Sequence, residues 1–213
     1  MDEMEIDVDA LIVKAKGVIE DEARAVHALA DQFDERLKGV VSLLLNCQGH
    51  VLVVGAGTSN AVARRFAHLL SCSGTPALHV SAADGLHGGA SAVRAEDVIF
   101  AISKGGHSAE VNGFVKIARE HGAGVVAQTE DPISPLAQMS DAVYQIRTLG
   151  GVDPYGMIAT GSSLVNCAAG DVLCVLLLEL RGYTKEAFGE THPGGAVGKQ
   201  LAEEGGEKKE ETA

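Results

Sequence analysis

Short apolar runs alternating with helical patterns constrain this chain more than any other feature. The runs are Val51-Leu-Val-Val, Ala77–Val80, Asp97–Ser103 (DVIFAIS), Gly124–Gln128 (GVVAQ) and Ala142–Ile146. The all-apolar Val51–Val54, closed by Gly55, reads as a parallel strand buried on both faces. Helices are expected between and after the runs, over about 61–70, 108–121, 134–139 and 161–180. Upstream, Leu11, Val18, Ala25, Leu29, Phe33, Leu37, Val41 and Leu44 recur at three- and four-residue spacing, predicting helix over about 8–46 with a break near Gly39. This order defines an α/β protein: a three-layer sandwich whose five-stranded parallel sheet is doubly wound and preceded by N-terminal helices.

The 213 residues suit a helical segment (1–46), a single α/β domain (47–202) and a charged tail (203–213), with no internal repeat. The net charge of −12 arises from 17 basic and 29 acidic residues. Five acids within 1–10 and a net −3 over 203–211 account for most of it, so the body is only mildly acidic and the ends are expected to be solvated and frayed. This balance, with 4% aromatics and no Trp, argues against a nucleic-acid partner, which would need clustered cations or stacking rings. No run of 18–20 consecutive apolar residues occurs, because Asp171 and Glu179 break the best candidate, so no membrane partner is expected. The acidic start is unlike a secretion signal. Cys47, Cys72, Cys167 and Cys174 form no CxxC pair and read as buried free thiols of a cytoplasmic protein.

In a doubly wound sheet, ligands sit beyond the carboxyl ends of the strands, and the unusual residues gather there. After the first strand, Gly55-Ala-Gly-Thr-Ser-Asn60 enters a helix; Gly57, Thr58 and Ser59 offer backbone and hydroxyl donors to an anion. It is not the dinucleotide fingerprint, which needs glycine where Asn60 stands. After the third, Ser103-Lys-Gly-Gly-His-Ser-Ala-Glu110 converges Ser103, Lys104, Ser108 and a helix start. Ser108 equally suits a helix N-cap, which uses the same donors. A third cluster, Thr160-Gly-Ser-Ser163, puts Thr160 and Ser162 at another helix start, after Asp153-Pro-Tyr-Gly156. The fourth is Glu190-Thr-His192-Pro; His192 precedes proline and is kept out of regular helix, which suits an acid/base or a structural histidine. Together the loops suggest a phosphate seat, without the Walker pattern of nucleotide hydrolysis.

Those clusters resemble the sugar isomerase (SIS) domain, most closely its arabinose 5-phosphate isomerase branch. The residues carrying the resemblance are GAGTSN at 55–60, SGTPALHV at 73–80, DGLHGG at 84–89, DVIFAISKGGHSAEV at 97–111, PYGMIATGSS at 154–163 and THPGGAVGKQL at 191–201. The resemblance implies a flavodoxin-like doubly wound fold and aldose–ketose isomerisation of a sugar phosphate through an enediol. It implies no metal or organic cofactor, and a homo-oligomer, typically a tetramer, in which histidines cross into a neighbour's site. Phosphate would be held by Gly57, Thr58, Ser59, Ser103, Lys104 and Ser108, with His87, Thr160 and Ser162 nearby. His192, His107 and Glu110 are the candidate acid/base residues. Members of the branch often carry two CBS modules after the isomerase part; a chain ending at Ala213 is expected to lack them.

The sequence departs from the branch at three places. Thr58 stands at the usual Lys, His107 where the second loop has Glu, and Gly151 at a further Glu. His107 suits a base, with an ordinary pKa of ~6.5. Two alternatives stay open: a phosphosugar-binding or regulatory SIS module without turnover, and other chemistry on the same scaffold.

Overall fold

The computed structural model describes residues 7–148 and 153–201. Residues 1–6 of the acidic start and the charged tail at 203–213 therefore lie outside the described residues, as does Gly151, while Asp7 caps the first helix. Five strands form one parallel sheet: β1 (Val51–Gly55), β2 (Ala77–Ser81), β3 (Val98–Ile102), β4 (Gly124–Thr129) and β5 (Ala142–Gln145). Their spatial order is β2-β1-β3-β4-β5. From β1 the chain leaves toward β2, from β3 toward β4, so the connections diverge between these two neighbours. Gly55 is level with Ile102 across that divide, which makes it the topological switch point where such sheets bind ligands.

Helices cover both faces. On one lie α1 (Val8–His27), α2 (Arg36–Leu45), α3 (Thr58–Cys72) and α7 (Thr160–Arg181). Their core joins Leu44, Val53, Phe66, Phe100, Val126 and Leu173. Phe66 meets Phe100 edge-on at 4.8 Å between ring centroids. Gly170 of α7 makes room for that ring, since a Cβ there would stand 2.9 Å from a Phe66 ring carbon. The other face carries α4 (Ala82–Leu86), α5 (Ala109–Glu120) and α6 (Pro135–Gln138), packed around Val54, Ile99, Phe114, Val125 and Leu136.

The break in the N-terminal helical region falls at 28–35, not near Gly39, which lies inside α2. Two side chains set it. Asp34 accepts from the Arg36 amide, starting α2. Gln32 brackets the Arg147 backbone, donating to its carbonyl and accepting from its amide at 2.9 and 2.7 Å. That tie spans 115 residues, so no local pattern announces it. Helix α3 begins at Thr58, three residues before the expected start, and α4 and α8 (Lys185–Thr191) were not foreseen.

Helix α7 has 22 residues, and its most apolar 18-residue stretch has a mean hydropathy of 1.8, enough by length and composition to cross a membrane. Here its Val165, Ala169, Leu173 and Leu177 lie buried in the core, and Asp171 pairs with Arg65 of α3 at 2.6 Å. All four cysteines are free, three of them half-buried and Cys174 buried. Burial pushes the Cys174 thiol up to about 12, as expected of a packing group rather than a nucleophile.

Candidate functional site

The loop after β1 is built on close backbone approach. A Cβ on Gly55 would lie 2.5 Å from the Ser59 carbonyl oxygen, so only glycine lets α3 start this near the strand. Gly57, with φ +56°, caps α3 without a side chain, leaving the amides of its first turn toward the sheet edge. Thr58 is exposed and Ser59 half-buried. Asn60, the residue that breaks the dinucleotide fingerprint, has its Oδ1 2.7 Å from His79 Nε2, tying the helix to β2. Burial, then the charge of Arg64, hold His79 below its ordinary pKa, so the ring serves as a neutral clamp.

Beside it runs the loop after β3. Ser103 is buried, and its Oγ lies 3.1 Å from Ser108 Oγ. Ser108 occupies the N-cap position of α5 yet makes no side-chain capping bond, unlike Ser81, Ser134 and Thr184 before their helices. Its hydroxyl is turned to Ser103 instead. The loop is fastened from below: the Glu130 amide and Thr129 Oγ1 both donate to the Lys104 carbonyl, and Asn112 Nδ2 donates to that of Gly106. Two hydroxyls, a helix start and a glycine turn thus face one spot at the switch point, an arrangement suited to a phosphate.

The remaining expected residues are placed unevenly. His107 and Glu110 are exposed on the same loop and first turn of α5. Lys104 Nζ lies 3.9 Å from the Glu130 carboxylate. His87, exposed, ends α4, which packs along α5. Thr160 and Ser162 open α7 at the same edge of the sheet. Asp153 is spent on the loop before them. Burial opposes its ionisation, but the amides of Tyr155, Met157 and Ile158 hold its carboxyl below the usual value.

His192 is elsewhere. Helix α7 descends from the carboxyl edge, its 22 residues covering roughly 33 Å, about twice the height of a five-residue strand. Arg181 at its foot reaches Thr75, and the Tyr183 ring packs on Gly74, both just before β2. Helix α8 starts from that far edge and lays Phe188 against Arg65, Leu69 and Cys174 on the outer side of α3 and α7, and His192 ends it. Its ring stacks on Phe188 at 3.8 Å between centroids. Nδ1 donates to the Phe188 carbonyl at 2.9 Å, so the neutral ring keeps its lone pair on Nε2.

Sequence reasoning missed two side chains at the carboxyl edge. Glu130 Oε1 accepts from the Thr148 amide at 2.7 Å and from its hydroxyl. Gln128, fully buried, donates to Asn166 Oδ1 at 2.6 Å, and Asn166 donates to the Ser162 carbonyl. Gln128 sits inside β4 as an ordinary core amide would, and Glu130 follows that strand as an ordinary loop acid would. Among the described residues, no three His, Cys, Asp or Glu side chains gather as a metal site.

A doubly wound sheet with a hydroxyl-and-glycine loop at its switch point is an α/β domain of the kind that can seat a small anion. Residues 44–176 match the model of the SIS domain, and the chain belongs to that family. It is 33% identical over 180 residues to the arabinose 5-phosphate isomerase KdsD of Pseudomonas aeruginosa, covering 84% of this chain and 55% of that protein. Over 192 residues it is 29% identical to the arabinose 5-phosphate isomerase KpsF of Escherichia coli, covering 90% and 59%. The chain thus spans a little over half the length of these curated relatives. Among solved structures, an Escherichia coli CFT073 protein in complex with arabinose 5-phosphate superposes with a TM-score of 0.85 at 29% identity, over 88% of this chain and all of that one. A Listeria monocytogenes protein assigned provisionally as a sugar-phosphate isomerase also scores 0.85, at 30% identity over 89% and 100%.

Proposed function

We propose that this SIS domain is a phosphosugar isomerase of the arabinose 5-phosphate/ribulose 5-phosphate type, working through an enediol without metal or organic cofactor. The observation that carries the reading is the Ser108 hydroxyl, withheld from capping and facing Ser103 at 3.1 Å. The likeness to arabinose 5-phosphate isomerases along most of the chain supports the substrate class. Phosphate sits on Ser103, Ser108 and the amides and hydroxyls of Gly57, Thr58 and Ser59, with Lys104 as the nearby cation. His87, Thr160 and Ser162 line the sugar side. His107 and Glu110 are placed on the loop to move protons at the sugar oxygens. Conversion of arabinose 5-phosphate to ribulose 5-phosphate tests this; failure to convert any tetrose to heptose phosphate would overturn it. Thr58 and His107, standing where the branch has Lys and Glu, favour a second reading, a phosphosugar-binding module without turnover. Calorimetric binding with no product would select it.

The working unit in this proposal is a cytoplasmic homo-oligomer, a tetramer, with neither nucleic acid nor membrane as partner. The helices within 1–46 pack on the 47–202 unit, and exposed Leu11, Ile12, Val13 and Ile19 of α1 are apolar surface for a neighbouring copy to cover. His192 serves the site of that neighbour: it ends α8 on the outer side of α3 and α7, and its hydrogen bonds and ring contact among the described residues are to Thr191 and Phe188, with none to the Ser103 loop. Mixed oligomers check this: His107→Ala and His192→Ala proteins, each impaired by ten-fold or more alone, are expected to recover turnover when unfolded and reassembled together. No recovery would place both histidines in one subunit's site or outside it.

A further inference from the structure

We infer that Glu130 carries the proton between carbons 2 and 1 of the bound sugar phosphate. The inference rests on the isomerase reading above and supplies the carboxylate that its proton transfer needs. Glu130 follows directly on the end of β4, and its amide donates to the Lys104 carbonyl at 2.8 Å. Its backbone is therefore one strand spacing, about 4.8 Å, from the Ser103–Ser108 loop. A sugar phosphate anchored there by its phosphate extends its reacting carbons over at least that distance.

The side chain is held rather than free. Oε1 accepts from the Thr148 amide and hydroxyl, and Lys104 Nζ stands 3.9 Å away. The side chain is only 29% exposed, and Oε2 has no hydrogen-bond partner among the described residues. An oriented carboxylate with one open oxygen beside a cation is the form a general base takes. The other acids at this edge are less suited. Asp131 accepts from the Ile133 amide to shape its own turn, and Asp153 is spent on the Tyr155 and Ile158 amides. Glu110 is exposed on the first turn of α5, with no side-chain hydrogen bond or ion pair among the described residues that would aim it.

The step balances within the substrate. Glu130 Oε2 takes the carbon-2 proton of the open-chain aldose; the carbon–hydrogen electron pair becomes the C1=C2 bond, and the carbonyl oxygen gains a proton from His107, giving the enediol. The carbon-2 hydroxyl then returns a proton to His107. Glu130, whose carboxyl proton exchanges with solvent while the enediol stands, delivers a proton to carbon 1, and the double bond collapses to the ketone at carbon 2. Lys104, 3.9 Å from the carboxylate, supplies positive charge beside the oxygens on which negative charge develops.

Glu130→Gln separates this role from a structural one, because the amide oxygen can still accept from Thr148 but cannot take a proton. The variant is expected to keep its fold and to bind arabinose 5-phosphate within about three-fold of the parent by calorimetry. Turnover and deuterium incorporation from D2O into carbons 1 and 2 should fall on the order of 10²–10⁴-fold. Glu130→Asp, which retains a carboxylate, should restore part of the exchange. Exchange by Glu130→Gln within ten-fold of the parent would overturn the assignment and leave the isomerase reading standing. A parent protein that binds the sugar phosphate and neither forms a ketose nor incorporates deuterium would overturn both.

Discussion

Ser103→Ala combined with Ser108→Ala is expected to bind arabinose 5-phosphate about 10²–10⁴-fold more weakly than the parent protein. Each hydroxyl donated to a charged phosphate contributes about 1.5–3 kcal/mol. The pair accordingly contributes roughly 3–6 kcal/mol, at about 1.4 kcal/mol per decade of affinity. The fold should tolerate the change. The two hydroxyls face each other at 3.1 Å, and Ser108 gives no capping bond that α5 would lose. The melting temperature should therefore stay within a few degrees while calorimetric affinity collapses. Undiminished affinity in a folded double variant would put the phosphate elsewhere.

Gly106→Ala should damage the same loop by a different route, through shape rather than donors. Gly106 has φ +69°, and a Cβ there would fall 2.1 Å from Ser134 Oγ and 2.4 Å from Ser134 Cβ. Ser134 is buried and cannot step aside, because its Oγ donates to the Asp131 carbonyl while accepting from the Ala137 amide to start α6. Left-handed backbone strain and overpacking together cost about 2–4 kcal/mol. In a chain of this length that lowers Tm by roughly 4–16 °C. Because Gly106 also carries the Asn112 and Leu136 bonds, sugar-phosphate affinity should fall with it, by ten-fold or more. Thermal unfolding with and without arabinose 5-phosphate reads both effects. An unchanged Tm would mean that the loop relaxes freely and that its glycine is not demanded by Ser134.

The sheet and its carboxyl-edge loops were legible because local chemistry marks them. Val51–Val54 is apolar throughout since both its faces are covered, and GAGTSN and SKGGHS follow strands with glycines and hydroxyls that no core would select. What escaped reading depends on distant partners. The break at 28–35 is set by Gln32 on Arg147, and the Ser108 hydroxyl is turned from its cap by Ser103. Glu130 resembles any acid in a loop until Lys104 and Thr148 are seen beside it. The place where α8 begins did have a signal in the sequence: a helix over 161–180 is far longer than the strands beside it, so the chain after it must emerge at the opposite end of the sheet.

Proton NMR of arabinose 5-phosphate incubated with the protein in D2O tests the central claim most directly. The proposed chemistry predicts loss of the carbon-2 proton signal, appearance of ribulose 5-phosphate carrying deuterium at carbon 1, and neither change with the Ser103→Ala/Ser108→Ala protein. An undiminished carbon-2 signal and no ketose, under conditions where calorimetry shows the sugar phosphate bound, would contradict it.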